Sequence, residues 1–366
     1  MSMNYKKLGD IVELIDERNK DGKVQTLIGV SIDKCFIKSV ANTIGTDLTK
    51  YQVIRKNDFA CSLMQVSRDG KIPIACLKDY DEAIMSPAYY IFRIRNTNEV
   101  LPDYLAMWFM RTEFDREASY IAVGGVRGSM PWEDFCDMKL PIPDLKEQEK
   151  IVNTYNAITK RIQLKQKINE NLEKTAQCLF EKTISQKEKN GKLNDIATIT
   201  MGQSPDGDSY NENGNGEVFY QGKSDFGNRF VSERVFTTAP TRIANPNDIL
   251  LSVRAPVGVI NITQKKCCIG RGLAAISSKN KQNSFLFYTL KSLSPAFEIF
   301  NGEGTVFGSI NREGLENLEI VIPDNNEITE FEKYASKIDK EIENNEIEIS
   351  KLQELKQLVI SRISGM

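Results

Sequence analysis

The sequence predicts an α+β fold in which two tandem α+β domains are separated by two long helices that pair as an antiparallel coiled coil, giving a pseudo-twofold arrangement. Three observations predict it. The chain repeats itself, each repeat mixes short strand-like runs with helical pieces, and each repeat ends in a proline-free segment with heptad spacing.

The repetition is read from the residues. Gly128-Ser129, Phe135, Leu140 and Pro143-Asp144 recur 180 positions later as Gly308-Ser309, Leu315, Ile320 and Pro323-Asp324. Lys7-Leu8-x-Asp10-Ile11 recurs as Lys192-Leu193-x-Asp195-Ile196, and Asn57-Asp58 as Asn247-Asp248. The ends of the repeat are held while the middle differs in length and sequence. The expected boundaries are 1–144 for the first domain, 145–188 for the central helix, 189–324 for the second domain and 325–366 for the C-terminal helix.

Within the globular parts, runs such as Val24–Ile28, Tyr89–Phe92, Ile249–Val253 and Val257–Ile260 read as strands bounded by Gly, Pro, Asn and Asp. Leu105–Phe114 and Phe285–Leu293 read as helices. The two terminal segments are rich in Glu, Lys, Gln, Ile and Leu. In the second, Phe331, Ala335, Ile338, Ile342, Asn345, Ile349, Leu352, Lys356, Val359 and Ile363 step by fours and threes. The same register 180 residues earlier gives Ile151, Tyr155, Ile158, Ile162, Lys165, Asn169, Leu172, Ala176, Leu179 and Thr183. A charge-rich helix is ordinarily a solvated surface, but a seam of this length favours helix pairing, with its polar members fixing register at a cost in stability. Antiparallel pairing of helices about 55 Å long would place the two domains at opposite ends of a rod.

Composition narrows the function. The chain has 366 residues, 40% of them hydrophobic, with no apolar run long enough to span a bilayer and no apolar signal core near Met1. A cytoplasmic location without membrane contact is expected. Cys35, Cys61, Cys76, Cys136, Cys178, Cys267 and Cys268 are scattered and contain no CxxC, which suits small buried hydrophobes in a reducing compartment. Histidine is absent, which removes Ser-His-Asp and Cys-His sites, HExxH zinc sites and histidine bases. The net charge of −2 argues against non-specific coating of nucleic acid and leaves room for a reader with a local basic face. There is no Asn-Pro-Pro-Tyr or Asp-Pro-Pro-Tyr loop for a flipped adenine and no GxxxxGK[ST] phosphate loop. Gly302-x-Gly304-x-x-x-Gly308 has the wrong spacing for a nucleotide loop.

The junction Leu140-Pro141-Ile142-Pro143-Asp144-Leu145-Lys146-Glu147-Gln148-Glu149-Lys150-Ile151 resembles the Leu-Pro-x-Pro, Glu-Gln, Ile entry into the conserved helix of the specificity subunit of type I restriction-modification systems. The second copy, Ile320-Val321-Ile322-Pro323-Asp324, is degenerate and lacks the Glu-Gln pair. Leu8-Gly9-Asp10-Ile11, the two Asn-Asp pairs and the turn Gly202-Gln203-Ser204-Pro205 also resemble that family, and the likeness runs through the whole chain. The resemblance implies a non-catalytic subunit whose two target-recognition domains each read half of an asymmetric, interrupted site on double-stranded DNA. It implies a helical spacer that docks two methyltransferase subunits, which bring S-adenosylmethionine. Restriction subunits, in systems that have them, add ATP- and Mg-dependent translocation and cleavage. This chain would hold no cofactor or metal.

Loop Arg, Lys, Asn, Gln and Ser residues are the expected contacts to bases and phosphates. In the first domain these are Arg68 and Lys71 beside Asp69-Gly70, with Arg127 and Ser129 in the glycine-rich segment. In the second they are Gln203, Lys223, Ser224, Arg254, Arg271, Asn311 and Arg312. Each arginine competes with a structural or solvated role. Ser129 and Ser309 read first as helix N-caps, a role compatible with phosphate contact, and Tyr89, Tyr90 and Phe92 read as strand core. Two other readings stay open: a coiled-coil adaptor that binds only proteins, and a metal-dependent nuclease built from scattered carboxylates.

Overall fold

The computed structural model describes residues 4–39, 46–64, 66–124, 128–301 and 308–363. Two compact units emerge: residues 1–164 with 348–366, and residues 165–347. Each is built on the same framework.

In the first unit a four-stranded antiparallel sheet runs in the order Val12–Ile15, Tyr90–Ile94, Phe59–Cys61, Ile74–Cys76. In the second the corresponding sheet runs Ala197–Met201, Leu273–Ser278, Ile249–Ser252, Ile260–Ile262. Strand periodicity divides each sheet's side chains between two cores. Phe59 and Cys61 face a helical core with Trp108, Phe109 and Phe114, while Ala60 faces Ile54, Leu77 and Met85. Likewise Ile249 and Leu251 face Phe285 and Tyr288, while Leu250 faces Val218, Tyr220 and Ile269. The second core is where the repeats part. In the first unit two strand pairs cover it, Ile28–Val30 with Phe36–Lys38 and Gln52–Arg55 with Glu82–Met85. In the second unit a five-stranded sheet covers it.

The repeated motifs are repeated hydrogen bonds. Lys7 pairs with Lys139, and Lys192 with Glu319, in matching antiparallel registers. The next amide donates across the junction in both, Leu8 to Met138 O (2.8 Å) and Leu193 to Leu318 O (2.9 Å). Each Asn-Asp pair is one tight turn. Asn57 and Asn247 both lie at φ 70°, a region asparagine tolerates better than most residues. Asp58 and Asp248 accept the amides of Arg55 (3.0 Å) and Asn245 (2.7 Å).

Some elements differ from expectation. The helix expected over 105–114 is two, Pro102–Phe109 and Thr112–Ile121, because Arg111 is extended at ψ 141° and breaks it. The second expected helix is Asn283–Ser292. Val257–Val259 is a turn rather than a strand, with Gly258 at φ 92° and the Ser252 hydroxyl accepting the Val259 amide. In the 24–28 run the strand begins only at Ile28, since Asn19 takes the Val24 backbone into a side-chain-capped loop.

The terminal segments form helices Leu145–Ile184, of 40 residues, and Asn325–Arg362, of 38. In the first unit they run antiparallel: the Lys356 ammonium lies 4.7 Å from the Tyr155 ring, and Arg161 pairs with Glu348. Ile158, Ile162 and Ile349 form a buried cluster with Leu352 and Val359 against it, while Ile151 and Tyr155 join the domain core with Ile360 and Ile363. In the second unit the same sense holds, from Lys165 with Asn345 to Lys187 with Glu327. There Phe331 and Ala335 enter the domain core, Ile342 is buried, and Leu179 and Ile338 are half-buried against the core. Leu172 is also half-buried. The polar seam members answer one another. Asn345, 1% exposed, donates to Asn169 Oδ1 at 2.8 Å, and Lys165 donates to Asn345 Oδ1 at 2.7 Å. No helix among the described residues is long and apolar enough to cross a membrane.

Candidate nucleic-acid interface

Each domain sheet ends in a set of loops that carries most of the expected contact residues. In the first unit the segment after strand Phe59–Cys61 is closed by Ser62 donating to Pro73 O (2.9 Å) and by Met130 donating to Leu63 O (2.9 Å). The second hydrogen bond draws the Gly128-Ser129 segment over the short helix Val66–Asp69. Gly128 has φ 74°, and a Cβ there would lie 2.2 Å from the Ser67 hydroxyl, so this crossing requires glycine. Arg68 and Ser129 are thus brought together. Arg68 lies within the helix, its side chain 65% exposed and 2.8 Å from Asp69. Gly70 ends that helix with a left-handed residue at φ 66°, and exposed Lys71 follows. Arg127 lies outside the described residues, as do Gly302 and Gly304.

Beneath this loop is a buried pair. Lys34 donates to Asp115 at 2.8 Å and also to Phe109 O. Burial pushes the Lys34 ammonium down; Asp115 opposes this, and Lys71 adds a small repulsion. Asp115 also accepts the Ile72 amide at 3.3 Å, so the pair holds the root of the Arg68–Lys71 segment.

The second unit repeats the tie. Ile310 donates to Val253 O (3.0 Å), Ala255 donates to Gly308 O (3.0 Å), and Arg254 bridges Ser309. Four further expected residues gather around the turn Gly270-Arg271-Gly272. Gln203 donates its amide to Ile269 O (3.0 Å), and the Arg271 amide donates to the Ser204 hydroxyl (3.3 Å). A Cβ on Gly202 would fall 2.2 Å from Gly270 O, and one on Gly272 would fall 2.5 Å from Gln221 O. Gln221 opens the segment that carries Lys223 and Ser224. Gln203, Lys223, Ser224, Arg254 and Arg271 are all exposed.

Asn311 and Arg312 do not join this group. Asn311 is the N-cap of helix Arg312–Glu316, accepting the Gly314 amide at 2.8 Å, and Arg312 pairs with Glu316 at 2.7 Å. This also corrects the N-cap reading of Ser309 and Ser129. The helices begin three residues after each serine, and their caps are Asn311 and Pro131. Tyr90, read as strand core, is 37% exposed and stacks on Trp132 at 5.2 Å.

Sequence reasoning missed Arg234, Arg242 and the buried groups that hold them. Arg242 is exposed, and its carbonyl accepts the Ile269 amide, placing it beside the Arg271 turn. Arg234 is held at 3.1 Å by Asp225, whose carboxylate also accepts the Gln221 amide at 2.7 Å. The Pro240-Thr241-Arg242 turn was the available signal for Arg242; nothing distinguished Arg234 from a solvated arginine. Among the described residues, Lys223, Arg242, Arg254 and Arg271 make no carboxylate ion pair, so four cations stand free on one edge.

Two copies of one framework, each presenting loop cations and amides at a sheet end and each packed on the long helices, define a duplicated two-domain protein. The family model described as the type I restriction modification DNA specificity domain matches residues 2–174 and again 186–357, and the chain belongs to that family. A protein of Methanocaldococcus jannaschii named as the MjaX type I restriction enzyme specificity subunit is 29% identical, over 97% of this chain and 91% of that one. The HindI specificity subunit of Haemophilus influenzae is 29% identical over 28% of this chain and 22% of its own length. The crystal structure of the type I restriction-modification S subunit from M. genitalium is similar in fold, with TM-score 0.62 and 14% identity, covering 99% of this chain and 96% of that one. Membership implies DNA sequence recognition by a non-catalytic subunit.

Proposed function

We propose that this chain reads an asymmetric, two-part site on double-stranded DNA, one half with each domain, and carries two methyltransferase subunits in the cytoplasm. Arg68, Lys71 and Ser129 serve the first half-site. Gln203, Lys223, Ser224, Arg254 and Arg271, joined by Arg242 and Arg234, serve the second. Arg127 is assigned to the first by its place in the chain alone. The methyltransferase subunits supply S-adenosylmethionine, and restriction subunits, where the system has them, supply ATP- and Mg-dependent chemistry. Two helices of about 55–60 Å exceed one turn of B-DNA, roughly 34–36 Å, and set the unread gap.

One observation carries this reading. The hydrogen bonds that place the loops are the same in both units, Met130 to Leu63 and Ile310 to Val253, while the loops and the second sheet they border differ. A shared frame with unlike edges suits two unlike half-sites, where a homodimer would read a palindrome. Free cations on the second edge suit phosphates and guanines. The test exchanges residues 1–144 for the matching part of another family member, in a complex with the methyltransferase subunits. One half-site changes and the other persists; loss or change of both would refute modular reading.

A further inference from the structure

Arg229 is almost wholly buried, at 4% exposure, in a unit whose other loop arginines are exposed. It lies at the tip of a small hairpin. Phe226 and Val231 bridge antiparallel, and Gly227 closes the tip by donating to Phe230 O at 3.0 Å. From that tip the guanidinium reaches Asp339 on helix Asn325–Arg362 at 2.5 Å and lies 4.2 Å from the Phe287 ring on helix Asn283–Ser292. Burial opposes its charge, and Asp339, Tyr288 and Glu173 together outweigh burial, so Arg229 stays a cation. The Arg229 carbonyl accepts the Ile262 amide at 2.9 Å, and Asn261, 2% exposed, donates to Gly227 O. The tip is therefore fixed to the sheet and to both helices.

The base of the same hairpin faces the candidate interface. Ser232 donates to Asp225 O at 2.9 Å, and the Asp225 carboxylate gathers the Gln221 amide and the Arg234 guanidinium. Lys223 and Ser224 lie between them, exposed, and Gln221 packs against the glycines that flank Arg271. A continuous set of hydrogen bonds thus runs from the long helix through Arg229 to the candidate interface. In the first unit the position matching Asp339 is Thr159, which has no carboxylate, so the device belongs to one domain alone.

We propose that Arg229 is a positioning residue for DNA reading by the second domain: anchored on Asp339, it fixes the hairpin of residues 221–234, and with it Lys223, Ser224 and Arg234, against the Arg271 turn. It touches no DNA itself. The inference rests on the proposed function above. Lost anchorage would let the hairpin shift, and base contacts that demand placement within a fraction of an ångström would loosen first.

The test uses the full chain assembled with its methyltransferase subunits and a DNA library in which each half-site position is varied. The wild-type complex should prefer each correct base over a mismatch by about tenfold or more. Arg229→Met alone leaves Asp339 buried without its cation and is expected to lower folding stability. The double variant R229M/D339L removes both charges and keeps the bulk, which maintains the fold. In that variant preference should fall below about threefold across the half-site of the second domain and hold across the other half. A double variant of wild-type melting temperature that retains preference in both halves would overturn the proposal. So would equal loosening of both halves, the mark of general destabilisation. A wild-type complex that shows no interrupted motif would refute the underlying reading instead.

Discussion

Replacing Asn345 with alanine tests how the helix pair is specified. Asn345 and Asn169 are 1% and 4% exposed at adjoining seam positions, and Asn345 donates to Asn169 Oδ1 at 2.8 Å. In Asn345→Ala that oxygen stays buried and loses its donor, which costs about 1–3 kcal/mol. Lys165 loses its 2.7 Å acceptor too, although its stem can carry the ammonium toward water. For a unit of this size, 1 kcal/mol moves the melting temperature by about 2–4 °C, so the expected drop is about 2–12 °C. Thermal unfolding followed by circular dichroism measures the drop. Hydrogen exchange over 165–184 and 325–347 assigns it to the helices. In the cycle with Asn169→Ala the two losses should be less than additive by about 0.5 kcal/mol or more, since either one breaks the same bond. A single variant within 0.5 kcal/mol of wild type, or an additive cycle, would refute the argument that the seam is held by this pair.

Three further outcomes follow from the same geometry. Gly202→Ala sets a Cβ 2.2 Å from Gly270 O, and overpacking against backbone should cost about 1–3 kcal/mol in chemical unfolding and weaken DNA binding with it. Burial raises the Glu332 carboxyl above its ordinary value, so the folded unit binds this proton more tightly than the unfolded chain. That contribution is present below the ordinary glutamate range and is lost as pH rises through the folded value. Stability of Glu332→Gln relative to wild type should therefore rise with pH across that window, as urea unfolding at a series of pH values would measure. Arg254→Ala removes an exposed cation and should leave melting unchanged while reducing the salt slope of DNA binding by about 1, read by fluorescence anisotropy of the assembled complex.

The repeat made the frame legible because its motifs are structural. Leu8 and Leu193, fully buried at the junctions, and the two left-handed asparagines recur because the same turns recur. The Glu-Gln signature is also explained by packing. Gln148, fully buried, accepts the Leu101 amide at 2.9 Å and donates to Glu99 O and Pro143 O, so it caps helix Pro102–Phe109 from the long helix. The degenerate second copy meets the same need differently. Ile328 packs into the core, and Glu332, one turn on, accepts the amides of Ser284 and Phe285 at the start of helix Asn283–Ser292. A motif search sees a lost Gln, and the fold keeps the cap.

The proposed reading edges were less legible. Gln203, Arg254 and Arg271 sit in recognisable turns, but what gathers them is glycine packing between segments some 70 residues apart, which no local pattern records. Arg312 and Arg271 look alike in sequence. A glutamate four residues along pairs with Arg312 and leaves Arg271 without such a partner. Arg229 was passed over because a loop arginine ordinarily faces water, and its burial depends on Asp339, 110 residues away.

The central claim is tested most directly by mapping adenine methylation with long-read sequencing in cells that carry the methyltransferase subunits, with and without this chain. The account predicts that one interrupted, asymmetric adenine motif is methylated with the chain and lost without it. An identical methylation pattern in both, with the methyltransferase subunits shown to be functional, would contradict it.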